Sequence, residues 1–155
     1  MTGADNSLAN VSLPALLRAA RGAYRDATRE ALATAGYADL PRNGAYVVGA
    51  IARGGSQLSD IVKQLAVSKQ VGGQLVDALV SRGYLKRDID PDDRRRFTVT
   101  LSERGAAAAS VVRAAVARID KRLKQRAGGE NVATARRVLF ALSQLADDDP
   151  AKERP

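Results

Sequence analysis

Four aspartates, Asp88, Asp90, Asp92 and Asp93, crowd around Pro91 in the stretch "RDIDPDDRRRFTVT" (residues 87–100), and Arg94, Arg95 and Arg96 follow at once. A second cluster, "SKQVGGQ" (68–74), sets Ser68, Lys69, Gln70 and Gln74 around a glycine pair. The chemistry that both clusters offer is recognition of a polyanion. Guanidinium groups grip phosphates through charged hydrogen bonds or enter the minor groove. Glutamine pairs with adenine N6 and N7, and lysine reaches guanine or a phosphate. Three adjacent cations repel one another and point anywhere unless something orients them. Asp92 and Asp93 can accept from the guanidinium groups, and Pro91 stiffens the loop, so the acids aim the arginines rather than cancel them. The alternative is a solvated turn whose surface ion pairs contribute little.

Composition narrows the function further. The chain of 155 residues has no histidine and no cysteine. That removes the commonest general base, thiolate metal sites, disulfides and thiol redox sensing. No P-loop and no GxSxG occurs, and the carboxylate groups at Asp92–Asp93 and Asp147–Asp149 fall in a turn and a tail where no pocket tunes them. No catalytic residue, metal or cofactor is expected. Lys and Arg number 25 against 17 Asp and Glu, a net +8 that favours nucleic acid or an anionic membrane as partner. With four Tyr, two Phe and no Trp, the chain has few stacking faces for single strands. Residues 82–126 carry 13 basic and 6 acidic side chains; within them "RIDKRLKQR" (118–126) is either a further DNA contact or the solvated back of a helix. The start, "MTGADNSLANVS", lacks the apolar core of a signal peptide, and the longest apolar run, 45–52, is too short to span a bilayer. A cytoplasmic protein without membrane contact is expected.

Those clusters need elements to hold them. Leu13, Leu16, Leu17, Ala20, Tyr24, Ala27, Ala31 and Ala35 recur at three and four, predicting a helix over 13–35, with Ser12 to cap it, Pro14 in its first turn and Gly36 to end it. Shorter helices follow at 42–52 and 58–65, the latter with Ile61, Val62 and Leu65 inward. Ser68 caps a fourth over 69–82, closed by Gly83. "YLKRDI" (84–89) and "RFTVTL" (96–101) read as strands joined by the aspartate-arginine loop. Ser102 caps a long helix to about 127 with Val112, Val116, Ile119 and Leu123 as its stripe, and Gly128–Gly129 separates it from a last helix over 131–146. Two short helices, a tight turn and a hairpin describe a winged helix-turn-helix. The expected fold is mainly α with a small β-hairpin wing, arranged as one domain over 13–147. In it, 42–101 is the winged helix-turn-helix, flanked by the helices of 13–40 and 103–147. Residues 1–12 and 148–155 are expected to be disordered.

On the fourth helix, Val71, Leu75, Ala78 and Leu79 are expected to face the third, leaving Lys69, Gln70, Gly73, Gln74 and Asp77 outside. Each glycine costs about 1 kcal/mol against alanine in a helix. Gly72 flanks the buried side, where it lets two helices approach. Gly73 faces out, where bare backbone can approach DNA.

The stretch from 57 to 105 resembles the MarR family of bacterial transcriptional regulators. "LSDIVKQLAVSKQ", "QLVDALVSRGYLKR", "DPDDRRR" and "LSERG" carry the resemblance, in that order and at close spacing. The family's Asp-x-Arg of the wing falls on Asp93 and Arg95. The resemblance implies a homodimer whose dimerisation helices, the first in 13–40 and the last two in 103–147, pack across a two-fold axis, with one recognition helix and one wing per subunit on a pseudo-palindromic operator. It implies groove contacts from Ser68, Lys69, Gln70, Gly73 and Gln74, and a wing contact from Arg95. It also implies a possible small-molecule effector, often aromatic or phenolic; Tyr24 and Tyr46 are candidates to line its pocket, or are plain core residues. Two departures stand out. Ala66 occupies a turn position where the family often has Gly, and Gly72–Gly73 replaces what are usually Ser, Thr or Val, pointing to an altered sequence preference.

The long apolar stripes argue for a dimer independently, because a winged domain of about 60 residues cannot cover them all, and two-fold pairing is the commonest solution. Leu16, Leu17, Leu139, Leu142 and Leu145 are expected near that interface; an intramolecular bundle is the alternative. The expected function is sequence-specific binding of double-stranded DNA by a homodimeric repressor. A winged-helix protein-interaction module and a nonspecific chromosome-binding protein are the alternatives.

Overall fold

The structure, a computed structural model, describes residues 10–54, 58–65, 67–89 and 97–145. The order of elements is α1 (Leu13–Thr34), α2 (Gly44–Arg53), α3 (Leu58–Gln64), α4 (Lys69–Ser81), β1 (Leu85–Ile89), β2 (Phe97–Leu101), α5 (Glu103–Ala127) and α6 (Gly129–Gln144). This is the expected mainly helical chain with one antiparallel hairpin. It divides into two compact units, residues 1–116 and 117–155, with the boundary inside α5.

The first unit holds the core. Leu32 of α1, Val47, Val48 and Ala50 of α2, Ile61 of α3, Leu75 and Leu79 of α4, Tyr84, Leu85, and Ala108, Ala109 and Val112 of α5 form one buried cluster. Each comes from an apolar stripe at helical or strand spacing, and burying such stripes is the main driving force of the fold. The chain turns are built by glycines at positive φ. After α4, Gly83 (φ +72°) lets its own N–H reach Val80 O at 2.9 Å and the Tyr84 N–H reach Leu79 O at 2.9 Å, a Schellman closure. Gly36 (φ +85°) closes α1 in the same way, with Tyr37 N on Leu32 O at 2.8 Å. Ser68 Oγ accepts from Val71 N at 3.3 Å at the start of α4, and Ser102 Oγ accepts from Gly105 N at 3.0 Å at the start of α5. Ser12 holds the N-cap position of α1, but its side chain makes no capping bond.

In the hairpin, Leu85 pairs with Leu101, Lys86 with Thr100, Arg87 with Val99, Asp88 with Thr98, and Ile89 with Phe97. Leu85 is buried, and Val99 and Leu101 are half-buried, while Thr100 is exposed, so the expected alternation sets the register. The wing root is then locked to α5. Tyr84 O accepts from Ser102 N at 3.1 Å, and a Cβ on Gly105 would lie 1.9 Å from that same carbonyl oxygen. Only glycine allows this approach.

The second unit comprises the end of α5 and α6. Gly128 (φ +84°) makes the break, Asn131 Nδ2 donates to Ala127 O at 2.8 Å, and Arg136 Nη2 reaches Asp120 Oδ2 at 2.9 Å. Within α6 only Val132 is buried. No helix of the described residues is long and apolar enough to cross a membrane.

Candidate nucleic-acid interface

The site is built on α4. One side of this helix enters the core through Leu75 and Leu79, with Gly72 between α3 and α4. A Cβ at Gly72 would lie 2.3 Å from Val62 Cγ1, so the helices meet closer than alanine permits. The other side carries Lys69, Gln70, Gly73, Gln74 and Asp77, all exposed, with exposed Ser68 at the cap. Five predicted groove positions, Ser68, Lys69, Gln70, Gly73 and Gln74, therefore share one exposed surface around the N-terminal half of a capped helix. The N–H groups and dipole at such an end favour a phosphate. One expectation fails here. Val71 was expected to pack inward, yet it is 47% exposed. Because α3 ends at Gln64, the apolar contact with α4 is completed by Gly72, Leu75 and Leu79, and Val71 lies beyond its edge.

The two glycines have different causes. Gly72 is required by packing. Around Gly73 a Cβ would meet nothing within 4 Å, so no contact among the described residues accounts for a residue that costs the helix about 1 kcal/mol.

Two features tie α4 to the wing, and neither was expected from sequence. Asp77, on the exposed face of α4, pairs with Arg87 Nη2 of β1. Arg87 shares the strand face of Val99 by register, and a lone acid on a face rich in amides and cations was the available signal for such a partner. The second is a three-way joint at Asp39, in the segment between α1 and α2. Its Oδ1 accepts from Tyr84 Oη at 2.6 Å and from Arg104 Nη2 at 2.8 Å, and its backbone oxygen accepts from Arg82 Nη1. Arg104 also donates to Arg82 O at 2.8 Å and stacks its guanidinium 4.4 Å from the Tyr84 ring centre. Tyr37 meets that ring edge-on at 6.3 Å. Hydrogen bonding from Tyr84, and then the Arg104 charge, hold the Asp39 carboxyl below its usual range against partial desolvation. Burial first, then the bond to Asp39, pushes the Tyr84 phenol up to about 12. The joint thus clamps the root of the wing and the start of α5 on the Asp39 carboxylate, and the end of α4 on its backbone oxygen.

On the outer face of the hairpin, Asp88 accepts from Thr100 Oγ1 at 2.9 Å and lies 3.2 Å from Lys86 Nζ. The Thr100 bond, then that of Lys86, lowers its carboxyl. This aspartate braces the two strands. Asp93, Arg94, Arg95, Arg96 and the turn residue Ala66 lie outside the described residues.

Of the predicted interface leucines in the first unit, Leu16 is 37% exposed and Leu17 half-buried. In the second, Leu139, Leu142 and Leu145 are 43, 37 and 64% exposed. Tyr24 is half-buried, and Tyr46, at the surface, donates its hydroxyl to Gln64 Oε1 at 2.6 Å. This bond links α2 to α3.

A family model described as MarR family matches residues 38–96, from the Asp39 joint through the wing arginines. No curated protein matches the chain. Among solved structures, the transcriptional repressor CouR bound to a 23-mer DNA duplex is similar, with 22% identity, a TM-score of 0.67, and 85% of this chain and 92% of that chain covered. MepR of S. aureus in a DNA complex has 16% identity and a TM-score of 0.70, over 87% of this chain and 98% of that one. NadR in complex with 4-hydroxyphenylacetate has 18% identity and a TM-score of 0.69, over 87% and 94%. These likenesses establish the fold. Residues 38–96 thus match the MarR family model, and the fold is that of these structures.

Proposed function

We propose that this chain is a sequence-specific regulator of transcription. It binds double-stranded DNA as a homodimer on a pseudo-palindromic operator, acts as a repressor in the cytoplasm, and carries out no catalysis. One observation carries the reading. The capped N-terminal half of α4 presents Ser68, Lys69, Gln70, Gly73 and Gln74 together on its exposed face, while its reverse face is anchored in the core. That is the disposition a helix needs to enter the major groove. Arg94, Arg95 and Arg96, oriented by Asp93, supply the wing contact. The similar structures of CouR and MepR in DNA complexes support the partner, and NadR in complex with 4-hydroxyphenylacetate supports a small-molecule ligand, whose role here would be release from the operator.

The exposed apolar side chains support the homodimer. Leu16, Leu139, Leu142 and Leu145 would waste hydrophobic surface in a lone chain, and Phe140 is 68% exposed. Burial against a second copy removes that surface from water. Sedimentation at micromolar concentration should give twice the chain mass; a monomer contradicts the pairing.

Enrichment from a random duplex pool at about 150 mM salt tests the function. The expected product is a palindromic motif with half-sites about one helical turn apart. Motif-free, steeply salt-dependent binding would instead indicate a nonspecific chromosome binder, and no DNA binding at all a protein-interaction module.

A further inference from the structure

Among the described residues nothing packs against the position where Gly73 would carry a side chain, and this is informative. It lies in the interior of α4, where glycine weakens a helix, and the space a methyl group would fill is empty. Its neighbour Gly72 is dictated by the 2.3 Å approach to Val62, so the pair is not a shared packing device. Gly73 opens a shallow notch on the exposed face, between Lys69 and Gln70 one turn before and Asp77 one turn after. Side chains on a helix lean toward its N-terminus, so Asp77 would lie over the notch. Its pairing with Arg87 draws the carboxylate to β1 instead.

The chemistry around the notch points to one occupant. Gln70 and Gln74 flank it, and glutamine reads adenine N6 and N7. Every adenine so read brings a thymine whose 5-methyl group projects into the same groove, the only apolar group on a major-groove edge. A methyl excludes water from bare backbone and needs no hydrogen-bond partner, which leaves the amides of Gln70 and Gln74 free for the adenine edge beside it. We propose that Gly73 is a specificity-determining position, and that its notch receives the 5-methyl group of a thymine in each half-site. This rests on the DNA-binding reading of α4 and deepens it.

The test uses the full chain and the duplex it enriches from a random pool. Each thymine is replaced singly by uracil, which removes the methyl alone, and binding is measured for the wild type and Gly73→Ala. For the wild type, one thymine per half-site is expected to lose about fourfold in affinity as uracil, the factor for one buried methyl. Gly73→Ala is expected to melt about 2–4 °C higher, to bind the thymine duplex about tenfold more weakly, and to regain part of that loss when the same thymine becomes uracil, because the clash between the two methyl groups is then removed. Such opposite signs in stability and binding are not produced by a structural role. An enriched motif bound equally by Gly73→Ala, or a wild type indifferent to every uracil, overturns the notch and leaves the regulator standing. A pool that yields no motif overturns the regulator and the notch together.

Discussion

The Tyr84 hydroxyl donates to Asp39 Oδ1 at 2.6 Å, joining the root of the wing to the segment after α1 across 45 positions of chain. Arg104 completes the triangle by bonding the same oxygen and covering the ring. Because Arg82 bonds the Asp39 backbone oxygen and Arg104 its carboxylate, the end of α4 and the start of α5 are held by one residue.

Tyr84→Phe keeps the ring, its edge contact with Tyr37 and its stacking with Arg104, and loses only the hydroxyl bond. The expected loss is about 1 kcal/mol, read as a lower urea midpoint at neutral pH. A phenol raised from 10.0 to about 12 favours the fold fully below pH 10, and that contribution is lost as pH rises toward 12. A lowered Asp39 carboxyl favours the fold above its ordinary 3.8, and that contribution is lost as pH falls through the folded value. Stability profiles should therefore show a shallower alkaline limb for Tyr84→Phe and a shallower acid limb for Asp39→Asn. Profiles parallel to the wild type would refute the joint.

Gly72→Ala and Gly105→Ala should both destabilise, for unequal reasons. At Gly72 the new methyl meets the end of Val62, which can shift; overpacking less the gain in helix propensity leaves a net loss of about 1 kcal/mol. Val62→Ala in the same chain should relieve it, making the double variant more stable than the two single losses imply. At Gly105 the methyl meets the Tyr84 backbone oxygen, which has nowhere to go, and about 3 kcal/mol is expected. Equal midpoints for the two variants would show that the approach at Gly105 is looser than described.

The Asp77–Arg87 pair is exposed on both sides, so its contribution to folding is small. A double-mutant cycle with Asp77→Asn and Arg87→Gln should give a coupling of about 0.2–1 kcal/mol in chemical denaturation. A coupling well above this would mean that the pair is a structural anchor.

On DNA, Gln74→Ala should change which sequences are preferred. Lys69→Ala and Arg95→Ala should weaken all sequences alike and lower the salt slope by about one each. Binding isotherms over a salt series, on the enriched motif and on scrambled duplex, separate the two classes. Uniform loss for all three variants would contradict base reading by α4.

Much of this protein was legible in its residues. Period-3.6 stripes, period-2 alternation in "RFTVTL", glycines after α1 and α4, and the caps at Ser68 and Ser102 are local signals, and local backbone sterics and hydrogen bonding act on them directly. The exposed set from Ser68 to Gln74 follows from the same helical spacing, because residues on one face of one helix stay together wherever the helix goes. The tertiary structure alone decided the rest. Asp39, Tyr84 and Arg104 lie far apart in the chain, and nothing local distinguishes a carboxylate that will meet a buried phenol from one left in water. The same holds for Asp77 and Arg87, for Val71 outside the packed contact, and for the split between the two glycines. Gly72 and Gly73 are identical as letters; only the position of Val62 makes one a packing requirement and leaves the other open on the surface.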